Sequence, residues 1–278
     1  MVISPDEADE SEVAMTRALK IGLIGGGGWL GNAITSAILE AGIVAAENLT
    51  ISYRSKRSEL FSTVNSTQDN QALAAASDII MLSVRPQDWE FVDIDASDKL
   101  IISVMAGISM EQLATQHKTD RIVRALPNAA AEIRKSFTPW IASTETSPSD
   151  RAVVKAIFAA CGVEAEVSSE ADIDYFTAMT GSGPAFPALL ADAMTRHAIQ
   201  HGVTPQLATK AAQMVLIGAA ALMEKTGENS HDIVRSFLDY RGTTAAALET
   251  MRAEGFDAIV ARGINAGVLK ATALGGNS

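Results

Sequence analysis

The chain is poor in cysteine, aromatics and positive charge, and each shortage removes a class of protein. One cysteine, Cys161, in 278 residues excludes an intrachain disulfide framework and fits a reducing, cytoplasmic compartment. Twenty-two Lys and Arg against 33 Asp and Glu leave a net charge of −11. That is the wrong sign for a nucleic acid or an anionic membrane as partner. The longest unbroken apolar run, Met214 to Met223, falls short of the roughly 18 residues that span a bilayer. His197 and His201 stand at a metal-pair spacing, but the glutamate after the first is missing and no third ligand is evident, so no metal is expected. Aromatic residues make up only 5 %, while alanine is abundant, a composition that favours closely packed helices.

What is present organises into two halves. Residues 1–17 carry Asp6, Glu7, Asp9, Glu10 and Glu12 and no base before Arg17, and read as a solvated, mobile acidic tail rather than a secretory signal. From residue 18 to 168, short apolar runs at 19–24, 49–53, 78–84, 100–104 and 121–126 predict buried strands. Helix-compatible segments lie between them, Met110–Gln116 with Ser109 as N-cap among them. Alternation of this kind predicts a right-handed parallel α/β sheet, which 136–143 and 162–167 extend. From 169 to 278 the strand signals stop. Pro184 opens a helix to about His201, Thr204-Pro205 another to Lys225, and Ser230 caps a third to Leu238. Helices over 244–254 and 256–273 complete an all-helical half whose apolar faces exceed what one small bundle buries, which predicts a subunit interface.

The strongest local signal is Ile21-Gly22-Leu23-Ile24-Gly25-Gly26-Gly27-Gly28-Trp29-Leu30-Gly31. A G-x-G-x-x-G run that follows a strand and opens a helix is the setting of a dinucleotide-binding loop, its N–H groups cradling a pyrophosphate. In the register Gly26, Gly28, Gly31, the candidate cofactor-binding residues are Gly26, Gly27, Gly28, Trp29, Leu30 and Gly31, with Gly25 as one residue added to the turn. An NAD site places a carboxylate at the end of the second strand. This chain has Tyr53-Arg54-Ser55-Lys56 there, and Arg54 can grip a 2′-phosphate bidentately while Ser55 and Lys56 add a hydrogen bond and charge. The expected cofactor is NADPH.

With these pieces placed, the sequence from about Lys20 to Lys270 resembles the pyrroline-5-carboxylate reductase family. Ser83-Val84-Arg85-Pro86-Gln87 resembles the family's Ala-Val-Lys-Pro-Gln, and Ser103-Val104-Met105-Ala106-Gly107-Ile108-Ser109 its Ser-x-x-Ala-Gly-Ile-Ser. Arg124-Ala125-Leu126-Pro127-Asn128 resembles Arg-x-Met-Pro-Asn. Thr177-Ala178-Met179-Thr180-Gly181-Ser182-Gly183-Pro184-Ala185-Phe186 is the most specific likeness, and Gly242-Thr243-Thr244 matches the end of Ser-Pro-Gly-Gly-Thr-Thr. The resemblance implies a Rossmann-type dinucleotide-binding domain followed by an all-helical dimerisation domain. It implies an obligate homodimer, often built into larger rings, and hydride transfer from NADPH to the C=N carbon of a cyclic imine carboxylate to give L-proline. It adds Ser83, Val84, Arg85, Pro86, Ala106, Gly107 and Asn128 to the cofactor site. By the same resemblance Thr244 contacts the imine nitrogen, the N–H groups of Gly242 and Thr243 hold the carboxylate, and Ser182 and Gly183 shape the cleft beside nicotinamide.

The departures gather around the expected substrate pocket. Asp239-Tyr240-Arg241 stands where the family has Ser-Pro-Gly, Ala129-Ala130 replaces Thr-Pro, and Arg134 replaces a glycine. Asp239 and Arg241 are therefore candidate substrate contacts, with three readings open: a divergent proline enzyme with a reshaped loop, an Arg241 that binds a second acidic group on a different cyclic imine, or an Arg241 paired with Asp239 on the surface. Two other readings stand beside the proline enzyme. One is the β-hydroxyacid dehydrogenase or imine-reductase relatives, of which the former would carry a lysine in the stretch 184–190, which has none. A non-catalytic NADP-sensing protein would keep the nucleotide site without the pocket.

Overall fold

The computed structural model describes residues 19–54, 57 and 59–275. The acidic tail, Ser55 and Lys56 lie outside the described residues. The chain divides into two compact units, one running to Gly181 and taking up the segment from Gly267 on, the other Ser182–Ala266.

The first unit is an eight-stranded sheet: β1 (Ile21–Ile24), β2 (Leu49–Ser52), β3 (Asn65–Thr67), β4 (Ile79–Leu82), β5 (Leu100–Ser103), β6 (Ile122–Ala125), β7 (Ser136–Ala142) and β8 (Gly162–Glu166). Its order is β3-β2-β1-β4-β5-β6-β7-β8. Every pairing is parallel except β6 with β7, so the expected all-parallel sheet is corrected at that one step. The reason is the connection: only the short 3-10 turn Ala129–Ile133 joins the two strands, too little chain for a parallel crossover. Strands β1, β4 and β5 are buried along their whole length, as continuous apolar runs covered by helices on both faces must be.

Helices α1 (Trp29–Glu40), α2 (Asn70–Ala75), α3 (Met110–His117), α4 (Pro148–Ala160) and α5 (Glu170–Phe176) connect and cover the strands. Ser109, Ser147 and Ser169 each form a capping box with the residue three further on, and Asp69 caps α2. α5 runs into a π-helical turn, Thr177–Gly181. Arg124, almost fully buried, holds α5 to β6 through Glu170 at 2.5 Å and Asp174 at 3.4 Å.

The second unit comprises α6 (Ala185–Gln200), α7 (Pro205–Thr226), α8 (Ser230–Tyr240), α9 (Thr243–Ala253) and most of α10 (Phe256–Gly275). Asn229 rather than Ser230 caps α8, accepting a hydrogen bond from the Asp232 N–H. α6 and α8 bury no residue, and Leu189, Met214, Ile217 and Ile259 are each more than half exposed. By length and composition α7 is long and apolar enough to cross a membrane, although Lys210 and Gln213 break its apolar run.

Candidate cofactor and substrate site

The sheet order reverses between β1 and β4, and ligands of such sheets bind beyond the carboxyl ends of the strands at that point. A cleft of about 590 Å³ opens there, its wall built from Ile24 at the end of β1, Ser52 to Arg54 at and beyond the end of β2 and Ser83 to Arg85 after β4. Gly25 makes the turn out of β1 in the left-handed region, at φ 82°. A Cβ on it would stand 2.5 Å from the Ser83 carbonyl oxygen, so only glycine fits. The added glycine of the turn is thus its pivot. Gly31 has the same restriction for another reason, since its Cβ would meet the Gly26 Cα at 2.7 Å; α1 lies that close to the loop.

Gly28 is the N-cap of α1, with no side-chain cap and no acid in the first turn. The first intrahelical bond is from Asn32 N–H to the Gly28 carbonyl, so the N–H groups of Trp29, Leu30 and Gly31 have no helical acceptor. The capped helices of this unit satisfy theirs with serine or aspartate; α1 presents its own to the cleft end of the sheet, where an anion would be stabilised. A glycine turn that a Cβ would fill, free N–H groups and two arginines make this cleft fit a phosphorylated dinucleotide.

Of the sequence-derived cofactor residues, Gly28, Tyr53, Arg54, Ser83, Val84 and Arg85 come together in this cleft. Gly26, Gly27, Leu30, Gly31, Pro86, Ala106 and Gly107 stand outside its lining. Trp29, 59 % exposed, lines a second cavity of about 410 Å³ with Leu60, Phe61 and Arg134. Asn128 is occupied elsewhere: its Nδ2 donates to the Thr180 carbonyl at 3.0 Å and its Oδ1 accepts from the Ala130 N–H, tying β6 to the π-helical turn. Sequence reasoning missed Gln68, Asn70, Asp88 and Phe91, which also line the cleft. Gln68 and Asn70 follow an edge strand that carries no motif, while Asp88 and Phe91 lie just past the Ser83–Gln87 stretch in the turn Pro86–Phe91; sheet order brings the two pairs together.

The 3-10 turn Pro86–Phe91 forms one rim of the cleft and is held from behind by α3. Trp89 Nε1 donates to His117 Nε2 at 3.0 Å, both residues buried. Gln116 Nε2 donates to the carbonyls of Trp89 and Val92 at 3.3 and 3.2 Å. Burial lowers the His117 pKa against the opposing pull of the Ile94 carbonyl and the Asp93 carboxylate, so the ring accepts from the indole as a neutral imidazole. Arg134, in the left-handed region at φ 61°, reaches back to α1. It donates to Ser36 Oγ at 3.0 Å and Glu40 Oε2 at 2.7 Å.

The substrate candidates belong to the second unit. Gly242 is the N-cap of α9, which has no side-chain cap. Thr243 and Thr244 are exposed in its first turn and make no side-chain hydrogen bond among the described residues. Capping is therefore not their role. Arg241 ends α8 at φ 55°, and Asp239 lies 3.8 Å from Arg235, one helical turn back. Of the alternatives for Arg241, the surface pair with Asp239 is not formed: Arg241 has no ion-pair partner among the described residues. Ser182 and Gly183 precede α6, the Ser182 carbonyl accepting from the Ala185 N–H.

Two family models match. Residues 170–274 fit pyrroline-5-carboxylate reductase dimerisation, and residues 20–107 fit NADP oxidoreductase, coenzyme F420-dependent. The pyrroline-5-carboxylate reductase of Escherichia coli is 32 % identical over 87 % of this chain and 93 % of its own. The chain belongs to the pyrroline-5-carboxylate reductase family. Pyrroline-5-carboxylate reductase 2 of Bacillus subtilis is 31 % identical over 86 % of this chain and 88 % of its own. The Plasmodium falciparum pyrroline carboxylate reductase, solved with NADP bound, superposes with a TM-score of 0.80 at 25 % identity, covering 94 % of this chain and 99 % of its own. A reductive aminase of Aspergillus terreus, at 18 % identity and a TM-score of 0.51, shares the fold alone. The dimerisation match takes in the exposed apolar helices of the second unit, and the chain associates with copies of itself.

Proposed function

We propose that this chain catalyses the NADPH-dependent reduction of 1-pyrroline-5-carboxylate to L-proline. One observation carries the reading: a family member keeps both a phosphate-competent cleft, with Arg54 and Arg85 on its rim, and an uncapped Gly242-Thr243-Thr244 turn. NADPH, when bound, supplies the hydride, which needs the imine carbon about 3–3.5 Å from the nicotinamide carbon. The protein's part is orientation. The first-turn N–H groups of α9, starting at Gly242 and Thr243, take the substrate carboxylate, and the Thr244 hydroxyl meets the imine nitrogen and later the product amine. Ser182 and Gly183 shape the nicotinamide side, and Arg54 with Ser55 and Lys56 takes the 2′-phosphate. Residues 18–168 form the cofactor half and 169–278 the substrate and dimerisation half, in a cytoplasmic homodimer that needs neither nucleic acid nor membrane; the apolar length of α7 is partner-facing.

The test is a comparison of Thr244→Ala with Thr244→Ser. Loss of a positioned hydroxyl lowers kcat/KM by about 10²-fold, while the serine variant keeps most of it and NADPH affinity stays unchanged in both. Full activity in Thr244→Ala contradicts the role. A second reading is favoured by Arg241, whose charge has no partner beside this turn: a cyclic imine with a further acidic group. It requires Arg241→Ala to lose activity on that substrate while keeping it on pyrroline-5-carboxylate.

A further inference from the structure

The carboxylate of Asp88 stands beside Arg54, the residue expected to grip the cofactor's distinguishing phosphate. Its Oδ1 lies 3.5 Å from Arg54 Nη1, with the arginine side chain 85 % exposed and the aspartate 32 %. Both line the same cleft, together with Arg85, which has no ion-pair partner among the described residues. Among the described residues, two cations and one anion thus line this cleft. The Asp88 N–H donates to the Arg85 carbonyl at 2.9 Å, and Trp89 is fixed by His117, so the carboxylate sits on an anchored turn rather than a free loop. Gln68, also in the lining, donates its Nε2 to the Arg54 carbonyl at 3.1 Å.

Resting on the NADPH reading, we propose that Asp88 is a selectivity residue of the cofactor site that opposes the 2′-phosphate. It does so in two ways. It occupies the Arg54 guanidinium, which a phosphate must win to bind bidentately. It also repels the phosphate's own charge. For NADH neither applies, and a carboxylate beside the adenosine ribose is the acceptor its 2′-hydroxyl requires, supplied here from the turn after β4 instead of the end of β2. Arg54 and Asp88 thus read the same position with opposite preferences, and the NADPH-to-NADH ratio is set by their balance.

Dissociation constants of NADPH and NADH, measured by titration calorimetry on the full chain, test this without turnover. Like charges about 4 Å apart in water repel by about 1 kcal/mol, or about fivefold in affinity. Asp88→Asn is therefore expected to tighten NADPH by about fivefold or more and to leave NADH equal or weaker. Asp88→Ser serves as a second variant with the same expected direction. In an Arg54→Ala background the gain shrinks, because the contested guanidinium is gone. An unchanged NADPH-to-NADH ratio in both Asp88 variants, or weaker NADPH, overturns the proposal. If the unmodified chain binds neither dinucleotide, it is the cofactor reading that fails.

Discussion

At the scale of single residues, Arg54 has the clearest consequence. Exposed at the cleft rim, it stabilises the structure little but can give a phosphate two charge-assisted hydrogen bonds. Arg54→Ala is expected to weaken NADPH by about 10- to 100-fold with NADH nearly unchanged, a split read directly from the two KM values. Cys161 gives the opposite kind of prediction. It is fully buried, and burial pushes its thiol up to about 11, so it is a packing residue rather than a nucleophile. A thiol reagent should leave it unmodified in the native chain and react on unfolding; rapid native modification would contradict this. Residues of the first kind were legible in the sequence because a strand end, a glycine loop and a missing carboxylate already fix the chemistry. Asp88 was not, since its pairing with Arg54 spans 34 positions and depends on β4 lying beside β1.

Among elements, strands with continuous apolar sequence and helices with capping boxes announced themselves. Ser109 before α3 is the case in point, as its cap bond to the Gln112 N–H forms where expected. β3 did not, because Asn65-Ser66-Thr67 is a polar edge strand with no burial pattern to read, and the π-helical turn has no sequence signature of its own. The 3-10 turn at Pro86–Phe91 is the element with a pH consequence. His117 is buried, and its pKa is lowered from 6.5, so the unfolded state binds the proton more readily than the folded one. Stability from this group is complete above pH 6.5 and is lost as pH falls toward the lower folded value. Denaturant titrations should show midpoints that drop on acidification below that point. In His117→Gln, whose amide oxygen can still accept from Trp89, this part of the pH dependence should vanish. An unaltered profile would place the acid sensitivity elsewhere.

For the molecule as a whole, the two units divide the labour of stability differently. The first closes its own core around β1, β4 and β5. The second leaves Phe186, Leu189, Leu190, Phe256 and Ile259 around an apolar cavity of about 490 Å³, a surface that water does not tolerate without a partner. Leu189→Glu is expected to convert the oligomer into monomers by light scattering and to lower its thermal midpoint; an unaffected mass would remove this face from the interface. The need for a partner was legible in the excess of apolar residues after residue 169, but which helices expose them was not, because helical periodicity does not distinguish a buried face from one awaiting a second chain.

The measurement that bears most directly on the whole reading is NADPH oxidation, followed at the nicotinamide absorbance, with 1-pyrroline-5-carboxylate as substrate and NADH in parallel. Turnover forming one proline per NADPH consumed is the predicted result. NADPH that binds but is never oxidised by this substrate would contradict it.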